Sequence, residues 1–488
     1  MTKKVLVLTL VVAAGGACGG GQAGKSDGGG DGGADSGPTM TYLTGTLTAS
    51  LPEADILFVI DDWASTTIQQ QKLLVQIPTF MQVLQALPLG LPSLHVAVIS
   101  ADMGADTGAT NPGCSATGGD DGVFKSAAQA PCIASTLQAD ATFITDDANG
   151  TTKNFTAPDP MGISTVFQCI GVLGGAGCGF PQPLAAAARA LGADGQPPPS
   201  QNAGFLRDDA ALAIILLTNQ DDCSVPAGSD FFTDSSTKVS DPLGPLGHYR
   251  CNEFGHLCNG VAPPRLSPDP NDLTTAVTLD NCVSNESGML TPVASVAAEI
   301  KALKSDPSRV LAAAITAPAV PYTVMWQPPP SGADTQPWPT VESSCTSANG
   351  DGTFGDPSVR TAQWIAAFGD NGVLASVCDN SYASSMAAIA SKIGALAQTN
   401  CLTTPVEPDS DGQPECTLSA HMVESGITTD KVVPSCVASG NTAPCWTLTV
   451  GATSCPDGAT FTISSDPNHP NPTALSFSYT CVAATPTP

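Results

Sequence analysis

The stretch DILFVIDDWAS, residues 55–65, decides the fold. Between Asp55 and Ile60 it is a short, nearly unbroken apolar run, and it stops abruptly at Asp61 and Asp62. A strand with one wet face would alternate apolar and polar residues. A run without alternation suits a strand covered on both faces, as in a parallel sheet. The same form returns in SLHVAVIS (93–100), which ends near Asp102, and in AALAIILLT (210–218), which ends at Asn219, Asp221 and Asp222. Residues 310–316 and 372–377 are two more such runs.

Helical patterns separate these runs. Ile77, Phe80, Met81, Leu84 and Leu87 form one apolar stripe, with Pro78 placed in a first turn. Residues 184–191 are alanine-rich. Val293, Val296, Ala297, Ile300 and Leu303 form a second stripe. Met386, Ile389, Ile393 and Leu396 form a third, capped by Asn380 or Ser381. Strands alternating with helices predict a doubly wound α/β fold with a mostly parallel, Rossmann-like sheet over residues 51–400.

Two long stretches, about 103–179 and 220–290, read as loop-rich insertions around that sheet. Residues 402–414 read as a linker, and 401–488 as a small β-rich, cysteine-rich module whose strands alternate. Of 17 cysteines, setting Cys18 aside leaves 16, enough for eight disulfides in an oxidising compartment. Each bridge adds roughly 2–4 kcal/mol. Cys223, Cys251, His256, Cys258 and Cys282 cluster in the chain, but without the paired spacing of a zinc site, so disulfides are expected there too.

Residues 1–18 have the anatomy of an export signal. Lys3 and Lys4 precede an apolar run too short to span a bilayer, then Gly15, Gly16, Ala17 and Cys18. The last four resemble a bacterial lipobox, with Gly15 in place of the usual leucine. That resemblance implies cleavage before Cys18 and a lipid anchor there; the alternative is ordinary signal-peptidase cleavage after Ala17, giving a free secreted protein. Several acyl chains on one cysteine hold firmly at about 0.8 kcal/mol per buried methylene. Gly19 and Gly20 lack the aspartate that retains lipoproteins at the inner membrane, so the cell envelope's outer membrane is the expected site. Residues 19–50 read as a flexible Gly/Asp-rich tether. Within it GGGQAGKS (19–26) matches a phosphate-loop pattern, but no buried strand precedes it and no helix follows, so no nucleotide is expected.

With 17 basic residues against 44 acidic ones and no basic run, nucleic acid is excluded as a partner. No H-E-x-x-H or G-x-S-x-G motif is present, and the five histidines have no evident nucleophile beside them, so the expectation is a binding or structural protein and no enzyme. In an open α/β sheet ligands sit beyond the carboxyl ends of the strands, at the switch point. If the runs ending at Asp61 and Asn219 are neighbours there, Asp61, Ser65, Asn219, Asp221 and Asp222 converge as hard oxygen ligands for Mg²⁺ or Ca²⁺. Trp63 and Asp102 then line the crevice.

Residues 55–65, 94–106 (LHVAVISADMGAD) and 212–224 (LAIILLTNQDDCS) resemble a von Willebrand factor type A domain. With 177–191 and 368–380 they are closest to its cysteine-rich bacterial lipoprotein subgroup. The resemblance covers about 53–399. It implies a doubly wound sheet and binding of protein ligands, often through a metal held by D-x-S-x-S plus a Thr and an Asp from later loops. Asp61 and Ser65 match that motif. Trp63 stands where a serine would ligate, Asn219 stands for the later aspartate, and no threonine aligns near 180–182. The metal-ion-dependent adhesion site is therefore degenerate, and weakened cation binding follows from the lost ligands. The expected partner is a protein or glycan; the second reading is a structural or envelope-assembly lipoprotein using the fold as a metal-independent scaffold.

Overall fold

The computed structural model describes residues 42–48, 52–87, 91–105, 162–208, 210–233 and 236–397, shorter stretches between 114 and 156, and most of 401–484. Cys18, the signal segment and residues 19–41 of the expected tether lie outside the described residues. Residues Tyr42–Pro488 form one compact unit.

Six strands build the central sheet: β1 (Glu53–Ile60), β2 (Ser93–Ser100), β3 (Ile144–Asp146), β4 (Ala211–Leu217), β5 (Val310–Thr316) and β6 (Gly372–Ser376). Their order is β6-β5-β4-β1-β2-β3. All neighbours are parallel except β3, which runs antiparallel to β2 at the edge. The chain starts in the middle with β1, goes out to β2, then returns to the other side of β1 with β4. The switch point therefore lies between β1 and β4.

Successive strand residues face opposite layers. Ile56, Phe58 and Ile60 pack with α1 (Thr67–Gln85), α2 (Gly162–Ile170) and, from the far end of the chain, the helix Ala383–Ala397. Leu57 and Val59 face α3 (Pro183–Leu191) and the helices Val293–Lys301 and Val359–Ala366. With α4 (Tyr249–Gly255) in the second insertion, the last three are α5, α6 and α7 in chain order. Phe58 sits edge-on to Phe167 at 4.6 Å and to Phe80 at 6.0 Å, so one aromatic of β1 joins two helices to the sheet. Asp55, fully buried at the other end of β1, is neutralised by Arg207, whose Nε donates to it at 2.8 Å.

Several boundaries differ from the sequence reading. Helix α1 begins ten residues before the apolar stripe suggests, so Pro78 lies inside it and not in its first turn. Proline has no N–H for the Leu74 carbonyl, and Gln168 Nε2 on α2 reaches that oxygen instead, at 3.5 Å. The first insertion contributes α2 and β3 to the core, although both are too short to show a clear period. Helix α6 escaped because its buried positions include Arg360 and Thr361. Ser381 does sit at the start of α7, its Oγ accepting from the Ala383 N–H at 3.3 Å.

The tether ends earlier than residue 50. Tyr42–Thr48 is a strand paired antiparallel with Ser476–Val482, in a sheet continued by Cys416–Glu424 and Ile427–Val433. A second sheet joins Cys401–Leu402, Ala459–Ser464 and Cys445–Val450. Leu402, Leu418, Trp446, Phe461, Phe477 and Cys481 share one core, so the expected linker starts inside the module. A central Gly45 and three threonines made the first strand read as tether.

Disulfides staple the loops as expected of the cysteine count. Cys114–Cys178 spans 64 residues of the first insertion; Cys223–Cys251 and Cys258–Cys282 close the second. Cys345–Cys378, Cys416–Cys481 and Cys436–Cys445 follow, and Cys169 is also disulfide-bonded.

Candidate binding site at the carboxyl edge of the sheet

The site grows from the ends of β1 and β4. The Asp61 N–H donates to the Leu217 carbonyl at 2.8 Å, extending the pairing one residue past β1. This brings the turn after β1 against Thr218 and Asn219. Both Asp61 oxygens are used. Oδ1 accepts from the Trp63 N–H at 2.9 Å, and Oδ2 accepts from Thr218 Oγ1 at 2.8 Å. Burial, opposed by these bonds, pushes the Asp61 carboxyl up to about 6. Ser65 Oγ donates to Asn219 Oδ1 at 3.1 Å. The Asn219 Nδ2, on a residue with no exposed surface, has no partner among the described residues. Trp63 bridges to Ala176, and a side chain at Gly179 would touch its ring.

Asp61, Ser65 and Asn219 thus meet in one place. Asp221 and Asp222 do not join them as cation ligands, because other side chains hold their oxygens. Asp221 Oδ2 is 2.8 Å from His256 Nε2, and the carboxylate also accepts from the Arg360 and Thr361 N–H groups and from Thr361 Oγ1. Burial alone would raise this carboxyl; the His256 bond and charge, with those N–H groups, hold it below the usual range. Asp222 pairs with Arg360 Nη2 at 2.9 Å, both fully buried, and accepts from the Leu184 N–H at 3.2 Å at the start of α3. The five residues named from sequence therefore do not fit a cation: both Asp61 oxygens are hydrogen-bonded, the free atom of Asn219 is a donor, and the two later aspartates are held by cationic or donor groups, while Trp63 beside them offers no oxygen.

A second acidic group sits beside the first. One carboxylate oxygen from each of Asp62, Asp102 and Asp120 lies within 4.8 Å of the others. Asp62 follows Asp61 and faces the opposite way, toward the end of β2. The Asp102 oxygens accept from the Gly104 N–H at 2.7 Å and the Cys178 N–H at 3.1 Å. Asp120 Oδ2 takes both Ser100 Oγ and Lys125 Nζ. Glycine is needed at two points here. A Cβ on Gly177 would overlap the Asp62 carboxylate, and one on Gly119, at φ +53°, would overlap Asp102 Oδ1 and the Gly104 nitrogen. Burial first, then the charges of Asp102, Asp61 and Asp120, push the Asp62 carboxyl up to about 7. Burial likewise raises Asp102.

Sequence reasoning named Asp102 as a crevice residue but passed over Asp62 and Asp120. The paired aspartates at 61–62 and the GGDDG run at 118–122 were visible; what linked them was not. A small cleft of about 20 Å³ opens between Gln220, His248, Asn252 and Asp356, whose carboxyl burial raises to about 6.

No family model matches this chain, and no curated protein does. Among solved structures, the pilus adhesin RrgA of Streptococcus pneumoniae is similar at 10% identity and a TM-score of 0.26, covering 91% of this chain. The chain spans 57% of that adhesin's length. Three N-terminal domains of the type V pilus tip protein Mfa5 of Porphyromonas gingivalis align at 10% identity and a TM-score of 0.27, over 92% of this chain and 69% of that one. The class that fold and site define is a disulfide-stapled α/β protein with a six-stranded, mostly parallel sheet and a polar crevice at its switch point.

Proposed function

We propose that this chain is an exported, lipid-anchored interaction module on a von Willebrand factor A-like domain, which holds a protein or glycan partner with the loops above the β1–β4 junction. The observation that carries this reading is the Asn219 amide. A buried N–H without an acceptor costs roughly 1–3 kcal/mol, and it stands at the switch point, where open α/β sheets bind ligands. Because Asn219 has no exposed surface, a partner's carbonyl or hydroxyl oxygen relieves that cost only when the loops above the junction open.

Binding is favoured over catalysis by how the nearby reactive groups are used. Both His256 nitrogens are engaged, by Asp221 and by the Tyr322 hydroxyl at 2.9 Å. Cys114, Cys178, Cys223 and Cys251 are disulfide-bonded, so none of these four is a thiol nucleophile. No helix among the described residues is long and apolar enough to cross a membrane. In this reading the chain attaches to the envelope through Cys18, with the outer membrane as the site.

Crosslinking from intact cells with the mature chain as bait tests the reading. Trp63→Ala and Asn219→Ala should each reduce capture of a partner about tenfold or more, for roughly 1.4 kcal/mol lost. Val437→Ser, at an exposed position of the C-terminal module, should leave capture intact. Equal capture by all three variants refutes the crevice. Cys18→Ser should move the chain from the membrane to the soluble fraction; retention in the membrane refutes the anchor. Trp63, in place of a ligating hydroxyl, favours a second reading, the envelope scaffold, in which Trp63→Ala changes stability but not capture.

A further inference from the structure

We infer that Asp62, Asp102 and Asp120 form a Ca²⁺ site, separate from Asp61 and Asn219, that ties the turn after β1 to the loop after β2. This inference does not depend on the proposed partner. Three aspartates close together do not make a site by themselves. The independent observation is the state of Asp62: it is only 8% exposed, yet its carboxylate accepts no hydrogen bond among the described residues. Its oxygens are aimed at those of Asp102 and Asp120, and the absence of a side chain at Gly177 leaves them room. A buried carboxylate without donors is strongly disfavoured unless something cationic meets it.

The charge balance identifies the ligand as divalent. Lys125 offsets one of the three negative charges and touches only Asp120 Oδ2; Asp120 Oδ1 has no partner among the described residues. Two charges remain. The spacing admits Ca²⁺. Two ligands of one ion can be no farther apart than twice the metal–oxygen distance, about 4.6–5.2 Å for Ca²⁺ and about 4.0–4.2 Å for Mg²⁺. The three oxygens all lie within 4.8 Å of one another, which a Ca²⁺ shell accommodates. Mg²⁺ would need every pair inside the shorter limit, and it sheds water reluctantly. Ca²⁺ also accepts the irregular geometry of loop carboxylates, with water filling the remaining positions.

The test is CaCl₂ titration of the oxidised full chain, by calorimetry and by thermal melting, with MgCl₂ in parallel. Expected are one Ca²⁺ per chain, an upward shift of the melting temperature, and at least tenfold weaker binding of Mg²⁺. Asp62→Asn and Asp102→Asn should each weaken Ca²⁺ binding about a hundredfold, while Asp272→Asn, at an exposed acid outside the cluster, should not. Lys125→Gln should tighten binding about tenfold by removing a competing charge, a response that a merely structural lysine would not give. Circular dichroism of the calcium-free variants checks that each is folded. No heat or melting shift with wild type, or an Asp62→Asn chain that binds Ca²⁺ as wild type does, overturns the site. Loss of Ca²⁺ binding in Asp61→Asn, with Asp62→Asn unaffected, would place the ion in the β1–β4 crevice and equally overturn it.

Discussion

Asp222→Ala is expected to lower the unfolding free energy by about 3–5 kcal/mol at pH 7. The Arg360 guanidinium is fully buried, and its Nε and Nη2 both reach Asp222 Oδ2, at 3.3 and 2.9 Å. Its remaining guanidinium bonds go to the Asp222 and Thr291 carbonyls and Ser284 Oγ, none of them charged. Without Asp222 the positive charge stays in the interior uncompensated, and the Leu184 N–H at the start of α3 also loses its acceptor. Replacing both partners, Asp222→Leu with Arg360→Met, should recover much of the loss, because two apolar groups leave no buried charge. Urea unfolding of the three chains measures this. A single variant within about 1 kcal/mol of wild type, or a double variant worse than the single, would show that the pair does not hold α6 to the turn after β4.

Asp62→Asn should act in the opposite direction. With divalent cations chelated, it is expected to stabilise the chain at pH 7.5 or above by up to roughly 4 kcal/mol and to do almost nothing at pH 4. Burial, then the charges of Asp102, Asp61 and Asp120, raise the folded-state pKa from 3.8 to about 7. Between those values the folded chain binds more protons than the unfolded chain, so stability falls as pH rises. The contribution is fully present below about pH 4 and lost as pH passes through about 7. Asparagine imitates the protonated acid and removes that slope. Melting temperatures from pH 4 to 8 in chelator decide it; parallel curves for wild type and variant would refute the assignment. With Ca²⁺ restored, the wild type should regain stability and the variant should not.

Part of this was legible in the sequence because it depends on neighbours in the chain. The run from Asp55 to Ile60 is apolar at every position between its ends, and only a two-sided sheet buries such a run. Its stop at Asp61 and the stop of β4 at Thr218 marked the carboxyl edge, and adjacency of the two strands brought Ser65 to Asn219. The short elements were not legible. Helix α2 has nine residues and β3 has three, too few to display a period. Helix α6 carries a buried arginine whose partner is 138 residues away.

The sequence by itself determined the layered α/β class, the oxidised cysteine framework and the crowding of carboxylates after β1 and β4, because period, composition and local run length act over a few residues. Only the tertiary structure decided what each carboxylate does. Asp61 and Asp62 are consecutive, yet strand geometry turns one toward Thr218 and the other toward Asp102 and Asp120. Asp221 and Asp222 have the composition of a cation site, but His256 and Arg360, far along the chain, already hold them. A carboxylate's chemistry depends on what lies within a few ångströms of it, and for these residues most of those neighbours come from distant parts of the chain.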